Sequence, residues 1–218
     1  MLAQGETPLS IIAVLREVTA ERLVFWPLII GAPWLEPTPD VPFDPTWFAY
    51  DFFEHYVDDI DEFEKVKAVD MNADWSPMQR ISEDAFKACL CEILSDTPGK
   101  DWGGERSDHF ASHLSLQGRR ITAAFLLKGP GNGFGPMHMT HLGKRGDQLF
   151  RLASEPAELL IVQHCHEITP PVRGTLRALA VQPHHARRYC LIDGRDSFRL
   201  LTAYGLVEKA LQLSASKS

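Results

Sequence analysis

The sequence has no run of about 18 apolar residues, the length that a membrane-spanning helix requires. Its opening residues, MLAQGETPLSIIAV, lack the basic stretch and the small-residue cleavage site of a secretory signal. Together these point to a cytoplasmic chain with no membrane partner. Cysteine is scarce: Cys89, Cys91, Cys165 and Cys190 are spread through regular-looking segments, without the dense spacing of a secreted disulfide scaffold, and they read as buried free thiols. No internal repeat or low-complexity tract appears, which excludes a solenoid array.

Several catalytic signatures are missing too. The glycine-rich stretch GPGNGFGP and the later Gly143-Lys144 do not form a phosphate-binding Walker loop, because Arg145 follows the lysine and His138 stands where the first glycine should be. No serine lies in a G-x-S-x-G elbow. His164 and His166, with His184 and His185, match no strong zinc spacing, and alternation along a buried strand explains the first pair. Cys165 has histidines beside it, yet its apolar neighbours oppose thiolate formation.

What is present is enough apolar material for a substantial core: 44% of the 218 residues are hydrophobic and 10% aromatic. The net charge of −7 conceals an asymmetry. Residues 1–100 carry 7 Lys and Arg against 19 Asp and Glu, whereas residues 101–218 carry 15 against 10. A basic C-terminal half suits an anionic ligand such as nucleic acid, although Arg119-Arg120 and Arg187-Arg188 can equally be solvated pairs.

Two parts are expected: an acidic N-terminal arm or subdomain over residues 1–75 and an α/β domain over residues 76–218. Ile11, Ile12, Leu15 and Val18 have helical spacing, so residues 8–30 read as an amphipathic helix running into an apolar segment. Pro33, Pro37, Pro39, Pro42 and Pro45 then mark an extended connector. The segment 48–66 reads as an acidic helix packed by its aromatics. Its carboxylates could lie over the basic half as an internal phosphate mimic, dock a protein partner, or simply be solvated.

The second part has a clearer order. Ser82 is a good N-cap, followed by Glu83 and Asp84 in the first turn and by Phe86, Cys89, Leu90 and Ile93 on one face, so residues 82–95 should be helical up to Pro98-Gly99. His109–Leu116 and Ile121–Lys128 read as a β-hairpin closed at Gln117-Gly118-Arg119-Arg120. A helix over 144–153, a buried strand over 158–168, a helix over 170–181 begun by Pro170 and Pro171, a strand over 189–193 and a last helix capped by Asp196 or Ser197 and running through Gly205 follow. Asp193-Gly194 reads as the strand-to-helix turn. The order predicts a mixed central sheet containing a β-hairpin and flanked by helices.

The hairpin register sets Asp108 opposite Leu127 or Lys128, and either way beside Lys128. DWGGERSD adds Asp101 and Glu105, so three carboxylates and a lysine can converge at one end of the hairpin. Carboxylates of this kind hold Mg²⁺ or Mn²⁺, and a lysine nearby can position an attacking water. An Asp–Lys salt bridge at a hairpin end is the plainer reading of the same pair.

A helix, a hairpin with an acid at its start and a lysine at its end, then a helix and a strand resembles the PD-(D/E)XK (restriction-endonuclease-like) nuclease superfamily. The resemblance spans roughly residues 80–168 and implies metal-dependent cleavage of nucleic acid, here DNA. Asp108 and Lys128 match the pattern, but Leu126 stands where the second acid belongs, so Glu105 or Asp101 would have to supply that ligand. Gln148, on the helix after the hairpin, matches the superfamily's habit of completing the site there. The implied catalytic set is Asp108, Glu105, Lys128 and Gln148, with Asp101, Glu105 and Asp108 on the metal. DWGGE, FLLKG and QHCHEI also resemble segments of uncharacterised bacterial proteins, which implies no activity. The alternative is a catalytically inactive module of the same fold that binds nucleic acid or a protein partner, with a homodimer left open.

Overall fold

β-Branched and aromatic residues, rather than helical spacing, decide the N-terminal segment. In the computed structural model, which describes residues 10–31, 53–97, 106–143, 146–182 and 185–216, strand β1 (Ser10–Val18) pairs antiparallel with β2 (Leu23–Gly31). The helix expected over 8–30 is therefore, from Ser10 on, a hairpin. Ile11, Ile12, Val14 and Val18 on one arm and Val24, Phe25, Trp26 and Ile29 on the other favour extended backbone, and Pro27 would break a helix interior. Thr19 closes the turn, its Oγ1 accepting from Arg22 N at 3.0 Å. The proline-rich connector lies outside the described residues.

The chain divides into two units, Met1–Trp47 and Phe48–Ser218. The division falls well before the expected boundary near residue 75, because Val57, Ile60, Phe63 and Val66 are buried in the core of the second unit. The segment expected as an acidic helix, so far as it is described, holds a short strand β3 (Glu54–His55) and two 3₁₀ turns, Val57–Asp59 and Asp61–Ala68. Two of its acids bond distant backbone instead of lining a helix face. Asp61 accepts from Gln117 N (3.1 Å) and Gly118 N (2.7 Å), and Glu62 accepts from Ser115 N (2.9 Å).

The second unit is a mixed α/β sandwich. Helix α1 (Glu83–Ile93) begins at Ser82, whose Oγ accepts from Ala85 N. Strands β4 (His109–Leu116) and β5 (Arg119–Lys128) form the expected hairpin, turning on Gln117 (φ 53°) and Gly118 (φ 76°), the two left-handed positions of a two-residue turn. Next come α2 (Asp147–Ala153), β6 (Leu159–His164), α3 (Pro170–Ala180), a small ribbon of β7 (Val181–Gln182) and β8 (His185–Ala186), then β9 (Arg188–Ile192), α4 (Gly194–Ala203) and α5 (Val207–Ala215).

The largest differences from the expected boundaries are in β6 and in the last helix. Strand β6 stops at His164 where the chain bends at Cys165-His166. The last expected helix starts earlier, because Asp193 caps it by accepting from Asp196 N at 2.9 Å. It also ends at Ala203, and α5 continues after Gly205, whose φ is 67°.

The five-stranded sheet has the order β3-β9-β6-β5-β4, parallel throughout except for the antiparallel edge strand β4. Burial on both faces explains why β6 is apolar along most of its length. Phe125, Leu127, Leu159 and Ile161 pack with residues of α1, α4 and α5, whereas Ala124, Leu126, Leu160 and Val162 pack with residues of α2 and α3. Removing a side chain such as Ile161 would cost about 2–5 kcal/mol. All four cysteines are buried and free. Among the described residues no helix is long and apolar enough to cross a membrane.

Candidate active site

In open α/β sheets, ligands bind beyond the carboxyl ends of the parallel strands. At that edge β5 ends in Lys128, β6 in His164 and β9 in Ile192 just before Asp193. Because β4 runs the other way, its start comes to the same edge and brings Asp108. A bulge between Ala111 and Leu114 moves the register by one residue, pairing His109 with Phe125. Asp108 N donates to Phe125 O (2.8 Å), and its Oδ2 accepts from Leu127 N (2.6 Å). Lys128 Nζ is 3.9 Å from that Oδ2, so the expected Asp108–Lys128 proximity is present.

The nearer partner of the lysine is a residue that sequence reasoning assigned only to a helix turn. Lys128 Nζ donates to both carboxylate oxygens of Glu83 at 3.3 Å, and Gly129 N donates to Glu83 Oε2 at 3.4 Å. Ser82 N donates to Ser214 Oγ of α5 (2.9 Å), which fixes where α1 begins. Gly129 permits the approach of β5 to α1: a Cβ there would stand 2.5 Å from Glu83 N. With its side chain only 15% exposed, Lys128 sits in a medium where a carboxylate partner matters more than at a free surface. Burial is the largest effect on the Glu83 carboxyl and pushes it above its ordinary value; the Lys128 charge opposes this and the Asp108 charge adds to it.

Gln148 is not drawn into this group by any hydrogen bond. Its backbone N donates to Leu142 O, and its side-chain Oε1 is buried without a partner. Leu126 is buried among apolar residues and offers no ligand. Asp101 and Glu105 lie outside the described residues, as does His184. Among the described residues no group of three or more His, Cys, Asp or Glu could hold a metal. Glu83 and Asp108 are the two carboxylates that pair with Lys128 at this edge.

Two histidines complete the edge. His164 faces Lys128 O through Nδ1 (3.2 Å) and Gly135 O through Nε2 (2.9 Å), and burial lowers its pKa. A neutral imidazole has one N–H, so it can satisfy one of these carbonyls. His166 is wedged edge-on between Trp75 (4.9 Å) and Phe134 (4.8 Å). Cys165, between them, is held as a thiol, its pKa pushed up to about 11 by burial.

The arrangement is that of a mixed α/β protein with two acids, a lysine and a half-buried aromatic cluster at the carboxyl edge of its sheet. No family model, curated protein or solved structure matches the chain.

Proposed function

We propose that this chain is a divergent metal-dependent nuclease of the restriction-endonuclease-like kind, acting on DNA. The observation that supports it is the Lys128 ammonium held between the carboxylates of Glu83 and Asp108 at the carboxyl edge of the sheet. The element order α1, β4–β5, α2, β6 around these residues supports it further. Asp108 and Glu83 would hold Mg²⁺ or Mn²⁺, with Glu105 as a further ligand. When bound, the ion would polarise the scissile phosphate and acidify a water. Lys128 would orient that water and offset the charge that grows on the phosphate oxygens. Glu83 would hold the lysine in place, replacing the acid that Leu126 does not provide.

The test is cleavage of plasmid, single-stranded DNA and RNA by the purified chain with Mg²⁺ or Mn²⁺. Slow cleavage that EDTA abolishes is expected, together with its loss in Lys128→Ala and Asp108→Asn. If no divalent ion supports cleavage, or if Lys128→Ala cuts as fast as the parent, the catalytic reading is wrong.

A second reading, a noncatalytic module, is favoured by Asp108 Oδ2 already accepting from Leu127 N. That module would bind nucleic acid through exposed Arg119 and Arg120. Arg119 pairs with Glu158 at 2.7 Å and Arg120 Nε donates to Ser112 O, yet both residues are exposed. DNA binding that weakens with salt, with a shallower slope in the Arg119→Ala/Arg120→Ala variant, supports this module. Salt-independent association would point to a protein partner instead.

A further inference from the structure

At the opposite edge of the sheet, where β6 and β9 begin, Arg187 is 7% exposed. Its Nη1 donates to Glu155 O (3.2 Å) and its Nη2 lies 3.4 Å from Leu179 O, while its Nε is buried with no partner. Among the described residues no carboxylate bonds Arg187 or Arg188. The nearby acids are engaged elsewhere: Glu54 with Arg173 and Tyr189, Glu155 with Ser107, and Glu158 with Arg119 and Thr122 N. Burial alone pushes the Arg187 guanidinium below its ordinary value. A guanidinium stays protonated even so, and carbonyl dipoles do not neutralise it.

Both arginines line an open cavity of about 470 Å³ whose other walls include Phe53, Pro156, Ala157 and Glu158. Arg187 spends one donor of each Nη on a carbonyl and, among the described residues, neither arginine is paired with a carboxylate, so N–H donors and positive charge remain at this cavity for a phosphate, which takes paired N–H donors. The Phe53 ring and Pro156 supply an apolar wall beside them. From the buried, carboxylate-free Arg187 beside Arg188 in this cavity, we infer a binding site for a phosphate monoester whose ester group lies against Phe53. The site is at the far edge of the sheet from Lys128 and does not depend on the nuclease reading.

Isothermal titration of the full chain with inorganic phosphate and with phenyl phosphate, at matched ionic strength, tests it. Saturable binding of both is expected, tighter for phenyl phosphate. Arg188→Gln should weaken it about tenfold or more, since a charge-assisted pair is lost. Glu158→Gln, which removes the carboxylate from the wall, should tighten it, and Lys128→Ala should leave it unchanged. Arg187→Gln should abolish binding, but it also loses the tethers to Glu155 and Leu179; the partly exposed Arg188 therefore serves as the variant that keeps the fold. Absence of saturable binding, or affinity unchanged in Arg188→Gln, overturns the assignment. Phenyl phosphate binding no tighter than inorganic phosphate would overturn the placement of the ester group.

Discussion

Glu83 and Lys128 are 45 residues apart in the chain, yet the Lys128 ammonium lies 3.3 Å from both Glu83 carboxylate oxygens. The pair joins the first turn of α1 to the last residue of β5, so helix placement and strand register must both be right for it to form. Its consequences can be measured separately in stability and in activity.

Because burial raises the Glu83 pKa, folding disfavours its ionised form relative to the unfolded chain. The associated stability is fully present below the ordinary value of 4.5 and is lost as pH rises through the raised value. Thermal melts between about pH 4 and 8 should therefore show the parent losing stability over that window relative to Glu83→Gln. Parallel curves for the two proteins would remove Glu83 from the linkage.

Gly129→Ala places a methyl 2.5 Å from Glu83 N, a backbone atom that cannot swing aside. Overpacking of this kind costs about 1–3 kcal/mol, more than the entropy gained by replacing glycine. Urea unfolding should give a lower midpoint with an unchanged slope. Any DNA cleavage should fall with it, since α1 must move away from Lys128.

The β4–β5 turn offers changes of opposite sign. Asp61→Ala strips two acceptors from Gln117 N and Gly118 N and should cost about 0.5–2 kcal/mol, with water limiting the loss at this exposed site. Gln117→Asn puts a residue tolerant of left-handed backbone where φ is 53° and should stabilise by about 0.5 kcal/mol. Equilibrium denaturation reads both.

Burial holds Cys89 and Cys165 as thiols with pKa pushed up to about 11, and it raises Cys91 and Cys190 as well. A thiol-specific disulfide reagent should therefore label none of the 4 cysteines in the native protein near neutral pH and all of them in denaturant. Rapid native labelling of Cys165 would mean that the β6 edge opens.

By itself the sequence determined the elements whose signals are local. Ser82 with Glu83 and Asp84 announces α1, and alternating residues around Gln117-Gly118 announce the β4–β5 hairpin. Since Asp108 and Lys128 end the two arms of that one hairpin, their proximity was legible too, to within the one-residue bulge at Ser112-His113. Pro170-Pro171 likewise marks the start of α3.

Local spacing misled where it fits two structures. Ile11, Ile12, Leu15 and Val18 suit a helix stripe, but only pairing with Leu23–Gly31 shows which period holds. Tertiary structure alone decided the rest. Glu83 became the partner of Lys128 because α1 packs on the sheet and Gly129 lets the backbones meet. Asp61 and Glu62 became caps of a turn more than 50 residues away. Arg187, one of two adjacent arginines that read alike, is buried and without a carboxylate because β9 pairs with β6 and carries it to the start of both strands. Propensity and turn chemistry act over a few residues, whereas burial, charge pairing and close backbone approach depend on which distant segments the packed sheet brings together.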